Sequence, residues 1–134
     1  MATQKREQEV PSARQVEVAV DMLKLMADPT RLLILHALSH GEHSVNELAD
    51  HVGAQPAAVS QHLAKLRLAQ VVRTRRDGTR VFYETRVVHV RQLVEEALYH
   101  AHHVVSEQDD HGPTSRTKES RTARRFEAAS RKQT

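Results

Sequence analysis

The stretch SVNELADHVGAQPAAVSQHLAKLRLAQVVRTRRDGTRVFYE, residues 44–84, leaves little freedom for the fold. Its first part predicts a short helix. Ser44 can cap the amide of Glu47, Glu47 can reach back, and Val45, Leu48, Ala49 and Val52 share one face. Gly53 stops that helix. A second helix comes after a two- or three-residue connection, with Pro56 in its first turn and a stripe of Val59, Leu63 and Leu66. Two short helices across a tight glycine turn form a helix-turn-helix pattern, which is unspecific by itself. The next segment makes it specific. VVRTRRDGTRVFYE holds two β-rich runs separated by Asp77-Gly78, a strong hairpin signal. A helix-turn-helix running straight into an arginine-rich hairpin is a winged helix, in which the second helix enters the major groove and the wing touches the DNA backbone.

The flanking sequence is helical. Val16, Val20, Leu23 and Met26 recur at spacings of three and four, giving a helix from Ala13 to Met26 with one apolar face. In ADPT, Asp28 is placed to cap the next helix and Pro29 to start it. That helix, from Pro29 to about Ser39, is apolar nearly all round and is expected to be central and buried. A last helix is expected from about Val87 to Val105. The fold class is therefore mainly α with a small β-hairpin. A flexible arm (1–12) precedes a winged helix-turn-helix DNA-binding and dimerisation domain (13–105), and a flexible basic tail (106–134) completes the chain. At 134 residues the chain is expected to form one domain.

With no cysteine, disulfides, thiolate metal sites and thiol redox sensing are excluded. Any metal chemistry must use imidazole and oxygen. The run LLIL is too short to span a membrane, and MATQKREQEV has no apolar core of a secretion signal, so a cytoplasmic protein is expected. Residues 112–134 carry a balance of +5 and the rest of the chain −2, within a total of +3. Lys65, Arg67, Arg73, Arg75, Arg76 and Arg80 form a second basic cluster, opposed locally only by Asp77. Two basic regions point to a polyanionic partner. On the second helix, Ala57, Gln61 and Lys65 lie opposite the apolar stripe, with Ser60 and His62 on the flanks and Gln55 at the start. A small, polar outer face admits a groove: Gln pairs with adenine edges, Ser and Lys with bases or phosphates. Together with Arg73, Arg75, Arg76 and Arg80 of the wing, these residues are the expected contacts to double-stranded DNA.

Five of the ten histidines lie between residues 89 and 111, four of them within HVRQLVEEALYHAHH. On a wheel of about 100° per residue, with His89 at zero, Glu96 falls near about −20°, His100 near about +20° and His103 near about −40°. His102 points about 140° away. His89 and His100 are separated by about 16.5 Å along the axis, whereas a metal–nitrogen bond is about 2 Å. One helix cannot bring both to one ion. His100 and His103 can share one, and His89 must then come from an antiparallel copy of the helix. Ligation thus implies a homodimer with two symmetric sites, and Leu93, Ala97 and Leu98 supply apolar surface for the pairing. The alternative is that these histidines only cap carbonyls or pair with Glu96.

MADPTRLLILHAL, SVNELADHVGAQPAAVSQHLAKLRLAQVVRTRRDGTRVFY and HVRQLVEEALYHAHH resemble, in order and spacing, the ArsR–SmtB family of winged-helix metal sensors, over residues 15–105. The similarity is strongest to its nickel- and cobalt-sensing members. The resemblance implies a homodimeric repressor, paired through its N- and C-terminal helices, that leaves its operator when metal binds. Val87 stands where many relatives carry an Asp ligand, and residues 1–12 lack the early histidine of one nickel/cobalt pattern. A second pattern uses positions matching His89, His102, His103 and His111. In it the position of His102 is Glu and that of Gly112 is a further histidine, so Asp109 or Asp110 is left to fill an oxygen position. The implied ion is Ni2+ or Co2+, with Zn2+ as the alternative. A winged-helix regulator answering a non-metal signal, with structural histidines, is the competing function. A hydrolase is disfavoured: there is no phosphate loop, nucleophile elbow or HExxH spacing, and no organic substrate or membrane partner is expected.

Overall fold

The computed structural model describes residues 9–85 and 87–110. Most of the expected arm, nearly all of the basic tail and His111 lie outside them. The element order is α1 (Ala13–Met26), α2 (Pro29–Ser39), α3 (Val45–Val52), α4 (Pro56–Leu68), β1 (Val72–Asp77), β2 (Arg80–Thr85) and α5 (Val88–Asp109). This is the winged helix-turn-helix architecture that the sequence predicts.

Local chemistry sets the boundaries. Asp28 caps α2 by accepting the Arg31 amide at 2.9 Å, and Pro29 opens the helix. Gly53 ends α3 in the left-handed conformation, with φ of 67°. Ser44 caps α3 by accepting the Glu47 amide at 3.2 Å. The expected return bond from the Glu47 side chain to the Ser44 amide does not form. That carboxylate instead accepts from the Ser44 hydroxyl and from Arg80 of the wing. A complete capping box occurs at α1, between Ser12 and Gln15. The turn from α4 into the wing is a Schellman motif. The Val71 amide bonds Leu66 O, the Gln70 amide bonds Arg67 O, and Gln70 takes the left-handed conformation at φ 60°.

The hairpin is offset by one residue from its expected position. Asp77 pairs with Arg80 as the last rung, so Gly78-Thr79 is the two-residue loop. Gly78 has φ of 61° and Thr79 is not left-handed, the φ pattern of a type II′ turn with glycine first. The wing is anchored at its base by two backbone bonds, His43 N to Tyr83 O at 3.1 Å and Tyr83 N to His43 O at 2.8 Å.

The core joins Ile34, Leu35 and Leu38 of α2, Leu48 and Val52 of α3, Val59, Leu63 and Leu66 of α4, Val72 of β1, and Val90 and Val94 of α5. The buried central α2 matches its apolar sequence. α1 is apolar on two sides. Met22, Leu25 and Met26 face the core, while Val16, Val20 and Leu23 stay 50%, 40% and 52% exposed. α5 runs to Asp109, four residues past its expected end, because no helix breaker occurs before Gly112-Pro113. Among the described residues no helix is long and apolar enough to cross a membrane.

Candidate nucleic-acid interface and histidine face

α4 turns Val59, Leu63 and Leu66 inward, which leaves Gln55, Ala57, Ser60, Gln61 and Lys65 exposed as expected. His62 lies differently. It is half-buried, with Nε2 3.9 Å from Oδ2 of the α2 cap Asp28, so its ring faces α2. Burial pushes the Asp28 carboxyl up, but the Arg31 amide and His62 outweigh it and hold the group below the usual carboxylate range.

The wing arginines are less free than their charges suggest. Arg73 pairs across the strands with Glu84. Arg75 makes a two-point contact with Glu42 in the α2–α3 turn, with Nε to Oε2 at 2.9 Å. Arg80 Nη2 reaches Glu47 of α3 at 3.1 Å. The guanidinium carbons of Arg75 and Arg80 lie 4.9 and 4.8 Å from the Phe82 ring centroid, so one aromatic ring steadies two cations. Arg76 is exposed and takes part in none of the ion pairs found among the described residues. Sequence reasoning missed Glu42, Glu47 and Phe82. The alternation of β2 puts Phe82 beside Arg75 and Arg80, a usable signal, but nothing local links Glu42 to a residue 33 positions on.

On α5, Val90 and Val94 are buried and Leu98 packs against the core, which removes Leu98 from the surface expected to pair with a second helix. His89, Glu96, His100 and His103 lie roughly 150° from that core face on the helical wheel, and all four are exposed. Leu93 and Val104 are exposed beside this strip. The His103 ring meets Tyr99 edge-on, with centroids 4.6 Å apart. His102 points away from the strip, as the wheel predicts, and α5 stays helical through it, so fraying does not bring it round. Within the single chain no three His, Asp or Glu among the described residues converge closely enough to hold an ion. That agrees with the axial separation of His89 from the other two.

A second group of histidines lies at the far end of α2. His36 and His40 meet edge-on at 4.7 Å. Nδ1 of His36 is buried and has no hydrogen-bond partner within the described structure. Burial, then His40 and His51, push the His36 imidazole below its ordinary value, against the pull of Glu95 on α5. A base with a lowered folded pKa binds its proton more readily when unfolded. Stability should therefore be full above about pH 6.5 and decline as pH falls below it. Leucine at position 36 should flatten that decline and match or exceed wild-type stability at pH 7. Urea melts at pH 7.5 and 5.0 check this; an unchanged slope in His36→Leu would assign the decline elsewhere.

Fold and interface together define a winged helix-turn-helix DNA-binding protein. The chain belongs to the ArsR family: the family described as "Bacterial regulatory protein, arsR family" matches residues 28–74. The chain is 53% identical over 89 residues to the HTH-type transcriptional regulator KmtR of Mycobacterium tuberculosis, covering 66% of this chain and 68% of that one. It is 37% identical over 93 residues to NmtR of the same organism, covering 69% and 78%. Among solved structures it is similar to the AntR antimony-specific transcriptional repressor, with a TM-score of 0.68, 27% identity, and coverage of 82% and 96%. The protein is a DNA-binding transcriptional regulator, not an enzyme.

Proposed function

We propose that this protein is a homodimeric repressor that binds operator DNA and releases it when a divalent metal, nickel or cobalt with zinc as the alternative, links its two subunits. The observation that carries the reading is the exposed strip of His89, Glu96, His100 and His103, set opposite the core face of α5. A helix face turned fully outward, rich in imidazole and flanked by Leu93, suits a second α5 better than solvent. His89 of one subunit would meet His100 and His103 of the other. His102 and His111, with Asp109 or Asp110, join His89 and His103 in the alternative tail-assisted set. The donor set fits a borderline ion: imidazole nitrogen with a carboxylate oxygen and no thiolate. When bound, the ion supplies a cross-link between the subunits, and it favours release only in so far as it binds the released shape more tightly.

Gln55, Ala57, Ser60, Gln61 and Lys65 would line the major groove, and Arg73, Arg75, Arg76 and Arg80 would track the backbone. A gel shift on duplex from upstream of the protein's own gene, with and without Ni2+, Co2+ or Zn2+, tests the whole reading. Binding without metal and loss of binding with it are expected. A shift that no metal alters would remove the sensor function, and no shift on any duplex would remove the repressor. In the same assay Gln61→Ala should change sequence preference by about 1–3 kcal/mol at one base pair. Arg76→Gln should weaken all duplexes alike and flatten the salt dependence.

A further inference from the structure

Two carboxylates from outside the wing, Glu42 and Glu47, hold arginines of the wing, and one of them has no structural task to explain it. Glu47 belongs to the start of α3, where its amide is capped by Ser44 and its carboxylate accepts the Ser44 hydroxyl. Glu42 sits in the turn before that helix, and both oxygens of its carboxylate accept from Arg75. Its neighbour His43 already fixes the wing through the two backbone bonds to Tyr83. Val72 locks the start of β1 into the core. The wing therefore has its position without the Glu42 carboxylate.

The pair is also easy to exchange. Its side chains are 46% and 36% exposed, and ion pairs at such sites are weak because water and salt screen them. A DNA phosphate offers the same two-point geometry to a guanidinium as a carboxylate does. Stacking on Phe82 keeps the Arg75 head at the wing surface whichever anion it holds.

We propose that Glu42 is an internal competitor for DNA phosphate at Arg75, a positioning residue that occupies the guanidinium in the free protein and so holds down the wing's contribution to affinity. The inference rests on the DNA-binding reading and adds to it a residue that tunes affinity without touching DNA. The expected sign is unusual, since a variant lacking an ion pair of the wing should bind DNA better.

The test is a double-mutant cycle on the full-length protein, using fluorescence anisotropy with the upstream duplex and with an unrelated duplex over a range of salt. Glu42→Gln should bind both duplexes about two- to five-fold more tightly. Its log–log salt slope should stay close to that of wild type, because Arg75 meets the same phosphate in both complexes and Glu42 only raises the cost of freeing it. In an Arg75→Gln background the same change should have no effect on affinity. Equal gains in both backgrounds would mean a general loss of negative charge, and would overturn the proposal. So would a loss of affinity in Glu42→Gln, which would make the pair a brace for the wing. Thermal melts of Glu42→Gln matching wild type show that the effect is not one of folding. Wild type binding no duplex would remove the DNA-binding reading itself, a failure distinct from wild type binding while Glu42→Gln leaves it unchanged, which removes only this proposal.

Discussion

Replacing Leu23 with Glu should turn the protein into monomers and weaken operator binding by roughly a hundred-fold or more. α1 uses Met22, Leu25 and Met26 against its own core, yet Val16, Val20 and Leu23 form a second apolar stripe left open to water. A helix apolar on two sides is stable in solution only when something covers both. A second α1 is a partner of matching chemistry. A carboxylate buried there without a cation would cost about 3–5 kcal/mol, enough to separate many dimers. A monomer carries one recognition helix, so it loses the gain that comes from seating two half-sites at once. Asp21→Lys, on another face of the same helix, should leave both mass and affinity near wild type. Sedimentation and anisotropy measurements decide it. A Leu23→Glu protein that stays dimeric and binds normally would place the subunit contact elsewhere.

How far the sequence could be read depends on how local each cause is. The Asp28-Pro29 start, the Gly53 stop and the buried stripe of α4 each depend on residues within a turn or two, and each stands in the structure as expected. The hairpin shifted by a residue because Asp77 finds a cross-strand partner in Arg80, leaving glycine as the first loop residue. The Glu47 cap changed because a distant arginine competes for its carboxylate. α1 shows a different limit. Its strongest heptad-like stripe is real, but periodicity reports only that a face wants cover and not which body covers it. The winged interface was legible as a surface, since charge and helix face are local. The clamps on Arg75 and Arg80 were not, because they join residues brought together by the chain reversal between α3 and the wing. For the histidines the axial rise of a helix already keeps His89 away from any ion that His100 and His103 share within one α5, and the single chain bears the same geometry.

That geometry makes the strongest expectation for the metal response. Changing His89 and His103 to Ala together should remove metal-driven release while leaving operator affinity within about two-fold, since both side chains are exposed and sit on α5, outside the helix and wing that meet DNA. In the unmodified protein metal should weaken operator binding by about 5–150-fold, the range of ordinary allosteric coupling. The two residues sit fourteen positions apart on one helix, about 21 Å along its axis, so they cannot serve one ion from the same chain. In the proposed arrangement each works with a partner on the other subunit. Mixed dimers separate this from any single-chain site. Put His89→Ala on one subunit and His103→Ala on the other. In the bridging arrangement both lesions fall on the same site, and the second site keeps its full set of ligands. Such dimers should bind one metal ion per dimer by calorimetry and retain part of the release. If each subunit's ion instead drew on both histidines of its own chain, as only a broken α5 would allow, each site would lose a ligand and the mixed dimer would behave like the double variant. Metal stoichiometry near zero in the mixed dimer would therefore overturn the bridged arrangement, even if the histidines remained the ligands.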